Sequence, residues 1–191
     1  KVKVFFMKYF YFYLGKKELM EIADFNLNSH SIEFLTDKKT TKNRFLFLIE
    51  KKFKNLKTLF DDKPCTYIHL NSQIPLIGSN EFGIVDRGTN MIELKPITIC
   101  NLECIYCSVD RSRRVRDFVV EEEYLINQIK RVIKIKKNKV NIHIGGQGDP
   151  TLYSDLVKLV RDLRSMTKIN NISVATNGIL LTESRIDELI D

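Results

Sequence analysis

Met91-Ile92-Glu93-Leu94-Lys95-Pro96-Ile97-Thr98-Ile99-Cys100-Asn101-Leu102-Glu103-Cys104-Ile105-Tyr106-Cys107 joins an apolar, strand-forming segment to a crowd of cysteines. Cys100, Cys104 and Cys107 have the spacing C-x3-C-x2-C. Three thiolates can hold three corners of a four-iron cluster and leave the fourth iron without a protein ligand, whereas iron–sulfur clusters are ordinarily closed by four. A metal centre with one open position is suited to chemistry, as the open fourth position of catalytic zinc illustrates. The apolar segment before the cysteines and helical patterning after them predict a strand-to-helix loop.

Downstream the pattern alternates between strand and helix. A strand over 91–98 precedes the cysteines, and a helix is expected over about 120–136, with Leu125, Ile129, Val132 and Ile133 on one face. Glu121, Glu122 and Glu123 open that helix and Lys130, Arg131, Lys134, Lys136 and Lys137 close it, as the helix dipole favours. A second strand over 140–144 runs into Gly145-Gly146-Gln147-Gly148-Asp149-Pro150, followed by a helix over about 154–165. A third strand over 171–176 ends in Asn177-Gly178, and Thr182 then caps a third helix. Three consecutive βα units imply parallel strands with right-handed crossovers, hence an open α/β sheet or part of a barrel.

Alternation within the strands divides the sheet's two faces. Ile92, Leu94, Val140, Ile142, Ile144, Ile172 and Val174 are expected to face helices. Glu93, Lys95, Asn141, His143, Ser173 and Asn177 fall on the opposite face. Parallel strands buried on both faces read as continuous apolar runs. A polar second face therefore points to a lumen that holds a substrate or cofactor, provided the register does not slip by one residue.

Residues 1–90 read as a small α+β accessory region, and 91–191 as the core. The aromatic run to Tyr13 has strand propensity. Phe45, Ile49, Phe53, Leu56 and Phe60 recur at helical spacing, with Lys51, Lys52, Lys54 and Lys57 mostly on the other face. Segments 66–70 and 73–77, flanking Asn71-Ser72, suggest a hairpin. Lys8 interrupts the first apolar run and no small-residue cleavage site follows, so a signal peptide is not indicated. That run is also too short to span a bilayer.

The 191 residues are 43% hydrophobic and 29% charged, which is a globular composition. The net charge of +7 would suit an anionic partner, RNA included, but a lysine-rich composition supplying solvated charges is the plainer reading. Three of the four cysteines crowd into eight residues, which favours metal binding in a reducing, cytoplasmic setting over a secreted disulfide scaffold.

Together these elements resemble the radical S-adenosylmethionine (radical SAM) superfamily. C-x3-C-x2-C after a first strand, with Tyr106 just before the last cysteine, is similar to that family's cluster motif. The glycine-rich end of the second strand resembles its Gly-Gly-Glu element, and Thr176-Asn177-Gly178 resembles another frequent element. A longer stretch, 74–110, is similar to an archaeal branch. The resemblance implies the first half of a partial (β/α)6 barrel of TIM-barrel type over 91–191. It implies that Cys100, Cys104 and Cys107 bind a [4Fe-4S] cluster, with SAM chelating the open iron. Reductive cleavage of SAM would give a 5′-deoxyadenosyl radical that abstracts hydrogen from a substrate. Tyr106 would lie near the adenine, and Gly145, Gly146, Gln147, Gly148, Asp149 and Asn177 near the rest of SAM. An electron donor such as ferredoxin or flavodoxin is implied as a partner.

The sequence departs from that pattern in places. Gly-Gly-Glu-Pro aligns with Gln147-Gly148-Asp149-Pro150, while Gly145-Gly146-Gln147 offers a second alignment. The family's barrel has about six βα units and this chain carries three, so a C-terminally truncated piece, or a split protein with a complementing chain, is expected. Two other classes compete. An electron-transfer iron–sulfur module would need a fourth nearby cysteine, and a zinc-stabilised RNA-binding domain would need a second ligand pair. Cys65 reads as a buried thiol or an auxiliary ligand, and His143 as a core histidine or a substrate or SAM contact. Arg111, Arg113, Arg114 and Arg116 read as a solvated loop or an anion guide.

Overall fold

The computed structural model describes residues 1–190 and divides into two compact units, Lys1–Thr66 and Tyr67–Asp191. The sequence reading placed the boundary after residue 90. Segment 67–90 packs with the second unit because it contains a further strand of that unit's sheet.

In chain order the elements are β1 (Val2–Phe6), β2 (Phe10–Leu14), α1 (Lys16–Met20), β3 (Phe25–Leu27), β4 (Ile32–Phe34), α2 (Lys38–Phe53), β5 (Lys57–Thr58) and β6 (Cys65–Ile68), which straddles the boundary. Then come β7 (Gly83–Asp86), β8 (Met91–Lys95), β9 (Asp117–Val120), α3 (Glu122–Ile135), β10 (Val140–Ile144), α4 (Leu156–Arg164), β11 (Ile169–Val174) and α5 (Glu183–Ile190).

In the first unit the aromatic run is a hairpin rather than one strand. Met7 and Lys8 turn the chain at positive φ, and β1, β2 and β5 form an antiparallel sheet. Asp37 caps α2 by accepting from the Thr40 N–H at 3.0 Å. Phe53 of α2 meets Phe6 and Phe12 at ring-centroid distances of 5.0 and 5.6 Å, so one face of the sheet is covered by the helix.

The second unit is built on a four-stranded sheet ordered β11-β10-β8-β7. β8, β10 and β11 are parallel, as the βα alternation requires, and β7 adds an antiparallel strand at one edge. Ile92, Leu94, Ile142 and Ile144 are fully buried beneath α3 and α4, each contributing about 1.5–3 kcal/mol relative to an exposed side chain. The opposite face carries Glu93, His143 and Ser173 in register across three strands. His143 Nδ1 and Ser173 Oγ are 2.9 Å apart, and Ser173 Oγ also donates to the Ile142 carbonyl at 3.3 Å. Lys95, expected on that polar face, is buried. Its ammonium donates to the Asn80 carbonyl at 2.9 Å and lies 3.4 Å from Glu93.

Several expected boundaries move. Val120 is strand, and α3 begins after Glu121, which serves as N-cap. β11 starts at Ile169, and α4 is preceded by a 3-10 turn over Pro150–Leu152. The expected hairpin around Asn71-Ser72 does not form: Leu70–Ser72 is a 3-10 turn ending in left-handed Gln73. Ser72 Oγ donates to the His69 carbonyl at 2.7 Å, a local bond that competes with strand pairing. Thr182 caps α5 as read, its hydroxyl accepting from the Arg185 N–H at 3.2 Å.

Candidate functional site

The three loops that follow β8, β10 and β11 meet at the carboxyl ends of the parallel strands, where open α/β sheets place their ligand crevices. There they enclose a cavity of about 620 Å³. Cys100, Cys104 and Cys107 come from the first loop; Gly146, Gln147, Gly148 and Asp149 from the second; Thr176 and Asn177 from the third. Gly145 and Tyr106 are not in its wall. Gly145 instead continues the sheet, its N–H donating to the Leu94 carbonyl at 3.0 Å. Tyr106 is 86% exposed. Its phenol pKa is raised, first by hydrogen bonding with Cys104 and then by the electrostatic influence of Cys104 and Cys107 and by desolvation.

The cysteine loop is pinned at its base. Ile97 and Val119 form an antiparallel bridge, and the Thr98 N–H donates to the Phe118 carbonyl at 3.0 Å, so segment 96–98 runs beside β9. Thr98 Oγ1 donates to the buried Asp117 carboxylate at 2.8 Å and accepts from the Phe118 N–H at 2.8 Å. Two arginines of the basic run complete this base. Arg111, buried, donates to the Cys100 carbonyl. Arg114 donates to the Thr98 carbonyl at 2.8 Å, to Gln147 Oε1 at 2.6 Å and to the Gln147 carbonyl at 3.3 Å, with Asp117 Oδ1 3.5 Å away. The reading of Arg111 and Arg114 as a solvated or anion-guiding loop is thus corrected: both brace the loops. Arg113, its side chain 88% exposed beside Asp110, and Arg116, also exposed, keep the solvated part of that reading.

The glycine loop lies directly on the cysteine loop. A Cβ at Gly148 would stand 2.3 Å from the Ile99 carbonyl oxygen and 2.5 Å from the Thr98 carbonyl carbon, so only glycine fits there. The Asp149 N–H donates to the Ile99 carbonyl at 2.9 Å. The Asp149 carboxylate, nearly inaccessible to solvent, accepts from the Thr151 N–H at 2.8 Å, from Thr176 Oγ1 at 2.8 Å and from the Asn177 N–H at 2.7 Å. Asn177 Nδ2 in turn donates to Asn101 Oδ1 at 2.8 Å and lies 3.8 Å from Cys100 Sγ. Asp149 is therefore a tie between loops, with its oxygens engaged by protein donors. Its role was hidden from the sequence, as were those of Arg111 and Arg114, because a buried carboxylate and an exposed one read alike.

The four cysteines are free thiols, and Cys65 is fully buried away from solvent. Among the described residues no three His, Cys, Asp or Glu side chains converge closely enough to chelate one ion. The donor set of the cavity nevertheless fits a thiolate-held cluster in kind: three reduced cysteines on one short loop line one space together with the glycine loop. No helix among the described residues is long and apolar enough to cross a membrane.

The Radical SAM superfamily matches this sequence over residues 94–191. The uncharacterized protein MJ0103 of Methanocaldococcus jannaschii is 42% identical over 142 residues, covering 71% of this chain and 32% of that protein. A GTPase Obg of Brachyspira hyodysenteriae is 34% identical over 106 residues, 52% of this chain and 15% of that protein. A GTP 3′,8-cyclase of Lactiplantibacillus plantarum is 29% identical over 100 residues, 51% of this chain and 29% of that protein. The chain spans about a third or less of the length of these relatives. No solved structure matches.

Proposed function

Because the chain belongs to the radical SAM superfamily, we propose that its second unit is the cofactor-binding half of a radical SAM iron–sulfur enzyme, with the three βα units corresponding to the opening half of a (β/α)6 barrel. Cys100, Cys104 and Cys107 would hold a [4Fe-4S] cluster, and SAM would take the position they leave open. When bound, this pair would supply one-electron reductive cleavage of SAM and so the means to abstract hydrogen from a substrate. The observation that carries the reading is the meeting of the cysteine loop, the glycine loop and Asn177 around one cavity.

The chain's own residues bind and orient. Gly146, in the cavity wall, would let backbone approach a ligand closely, while Gly148 lets the glycine loop sit against the cysteine loop. Arg111 and Arg114 hold the cysteine loop against the glycine loop, and Asp149 holds the glycine loop against Asn177. Tyr106, exposed just before Cys107, would sit near the adenine of bound SAM. A substrate would enter from the polar face that carries Glu93, His143 and Ser173. The reducing equivalent would come from a donor such as ferredoxin or flavodoxin in the cytoplasm.

Anaerobic reconstitution of the chain with iron and sulfide tests this. The expected result is charge-transfer absorbance that is lost in Cys100→Ala, Cys104→Ala and Cys107→Ala, and an EPR signal of the reduced cluster that changes when SAM is added. Absence of the absorbance, or an EPR signal indifferent to SAM, would overturn the reading.

A further inference from the structure

The sheet of the first unit has one face covered by α2 and another on which Lys3, Phe5, Tyr13 and Lys57 are exposed around a buried Tyr11. Phe10, Phe12, Leu14 and Thr58 lie on the covered face and are buried. Strand pairing puts Lys3 opposite Tyr13, Phe5 opposite Tyr11, and Tyr11 opposite Lys57, so these five share the other face. A solvent-facing side of an antiparallel sheet is ordinarily polar. Here Phe5 is 62% exposed and Tyr13 45% exposed. Tyr11 forms the floor between them, its ring 5.5 Å from Tyr13, its hydroxyl donating to Asp62 at 2.7 Å and the Lys3 ammonium 3.9 Å above it.

Charge points to the occupant. Residues 1–66 carry fourteen Lys and Arg against eight Asp and Glu, so this unit holds +6 of the chain's +7. An aromatic sheet face flanked by lysines on a strongly basic unit combines stacking surface with phosphate attraction, the pairing that single-stranded nucleic acids require. Base-paired strands hide their ring faces and would gain only the electrostatic part. We infer that the Lys3–Phe5–Tyr13–Lys57 face binds single-stranded nucleic acid, with unpaired bases stacking on Phe5 and Tyr13 and the backbone tracking Lys3 and Lys57.

Fluorescence anisotropy of the full chain with labelled homopolymeric single-stranded RNA and DNA oligonucleotides, and with duplex RNA, tests the inference. Single strands of one or both kinds are expected to bind more tightly than duplex, with affinity falling as salt rises, and the tighter of the two names the natural source. Phe5→Ala and Tyr13→Ala each weaken binding by roughly tenfold, while Phe5→Tyr restores it and circular dichroism stays that of the parent. Lys130→Ala with Lys134→Ala, a charge loss of the same kind on the other unit, leaves the stacking contribution intact. No binding of single strands, equal or better binding of duplex, indifference to Phe5→Ala and Tyr13→Ala, or binding of anionic lipid vesicles in place of oligonucleotide would each overturn it.

Discussion

The Asn177 main-chain N–H donates to Asp149 Oδ2 at 2.7 Å, so the loop after the last parallel strand hangs from a carboxylate in the loop after its neighbour. Replacing Asp149 with Ala removes the shared acceptor of the Thr151 and Asn177 N–H groups and the Thr176 hydroxyl, at a carboxylate that is itself nearly inaccessible. The expected cost is about 2–4 kcal/mol. A thermal melt lowered by only a degree would refute this role.

Gly148 and Gly178 separate two kinds of glycine requirement. Gly148→Ala drives a methyl into the backbone of Thr98 and Ile99, and neither can retreat without moving the cysteine loop. Gly178 has φ +79 but open space around it, so Gly178→Ala costs only about 1–2 kcal/mol of backbone strain. Chemical denaturation should rank Gly148→Ala well below Gly178→Ala; the reverse order would contradict the close approach.

Arg114 serves acceptors on Thr98 and Gln147 beside the buried Asp117. Arg114→Ala is expected to destabilise by about 2–4 kcal/mol, since it leaves a buried carboxylate without its cation. Arg114→Lys should recover less than half of that, because an ammonium cannot span these acceptors as a planar guanidinium does. Denaturation midpoints of the three proteins check the order.

Cys65 is fully buried. Cys65→Ala should leave bound iron after reconstitution unchanged, while each of the other three cysteine variants loses it. Iron content falling with Cys65→Ala would make that thiol a ligand.

Glu93 contributes a pH-dependent share of stability. Hydrogen bonding from Arg87, reinforced by the charges of Lys95 and Arg87 and opposed by burial, lowers its pKa below the ordinary value of 4.5. A carboxylate depressed in the folded state stabilises above its unfolded pKa, and that contribution disappears as pH falls through the folded value. Stability of the parent should therefore drop below about pH 4.5 more steeply than that of Glu93→Gln. Parallel curves for the two proteins would exclude the linkage.

Much was legible along the chain because it rests on local chemistry. The spacing of Cys100, Cys104 and Cys107, the two glycine-bearing strand ends and the helix periodicities after residue 120 are short-range patterns. They announced parallel βα units and a site in the loops between them, and the Ile92/Glu93 alternation separated the two faces of the sheet. Tertiary structure alone decided what the charged residues do. Arg111 and Arg114 look the same in sequence as Arg113, but the return of β9 beside residues 96–98 buries Arg111 and largely covers Arg114 against carbonyl acceptors, and leaves Arg113 in water. Asp149 became a tie only when β11 paired with β10 and brought Asn177 to it. The open aromatic face of the first unit likewise required the Lys3–Tyr13 register. Periodicity fixes which residues share an element, whereas the partner of a charge depends on contacts between segments distant in sequence.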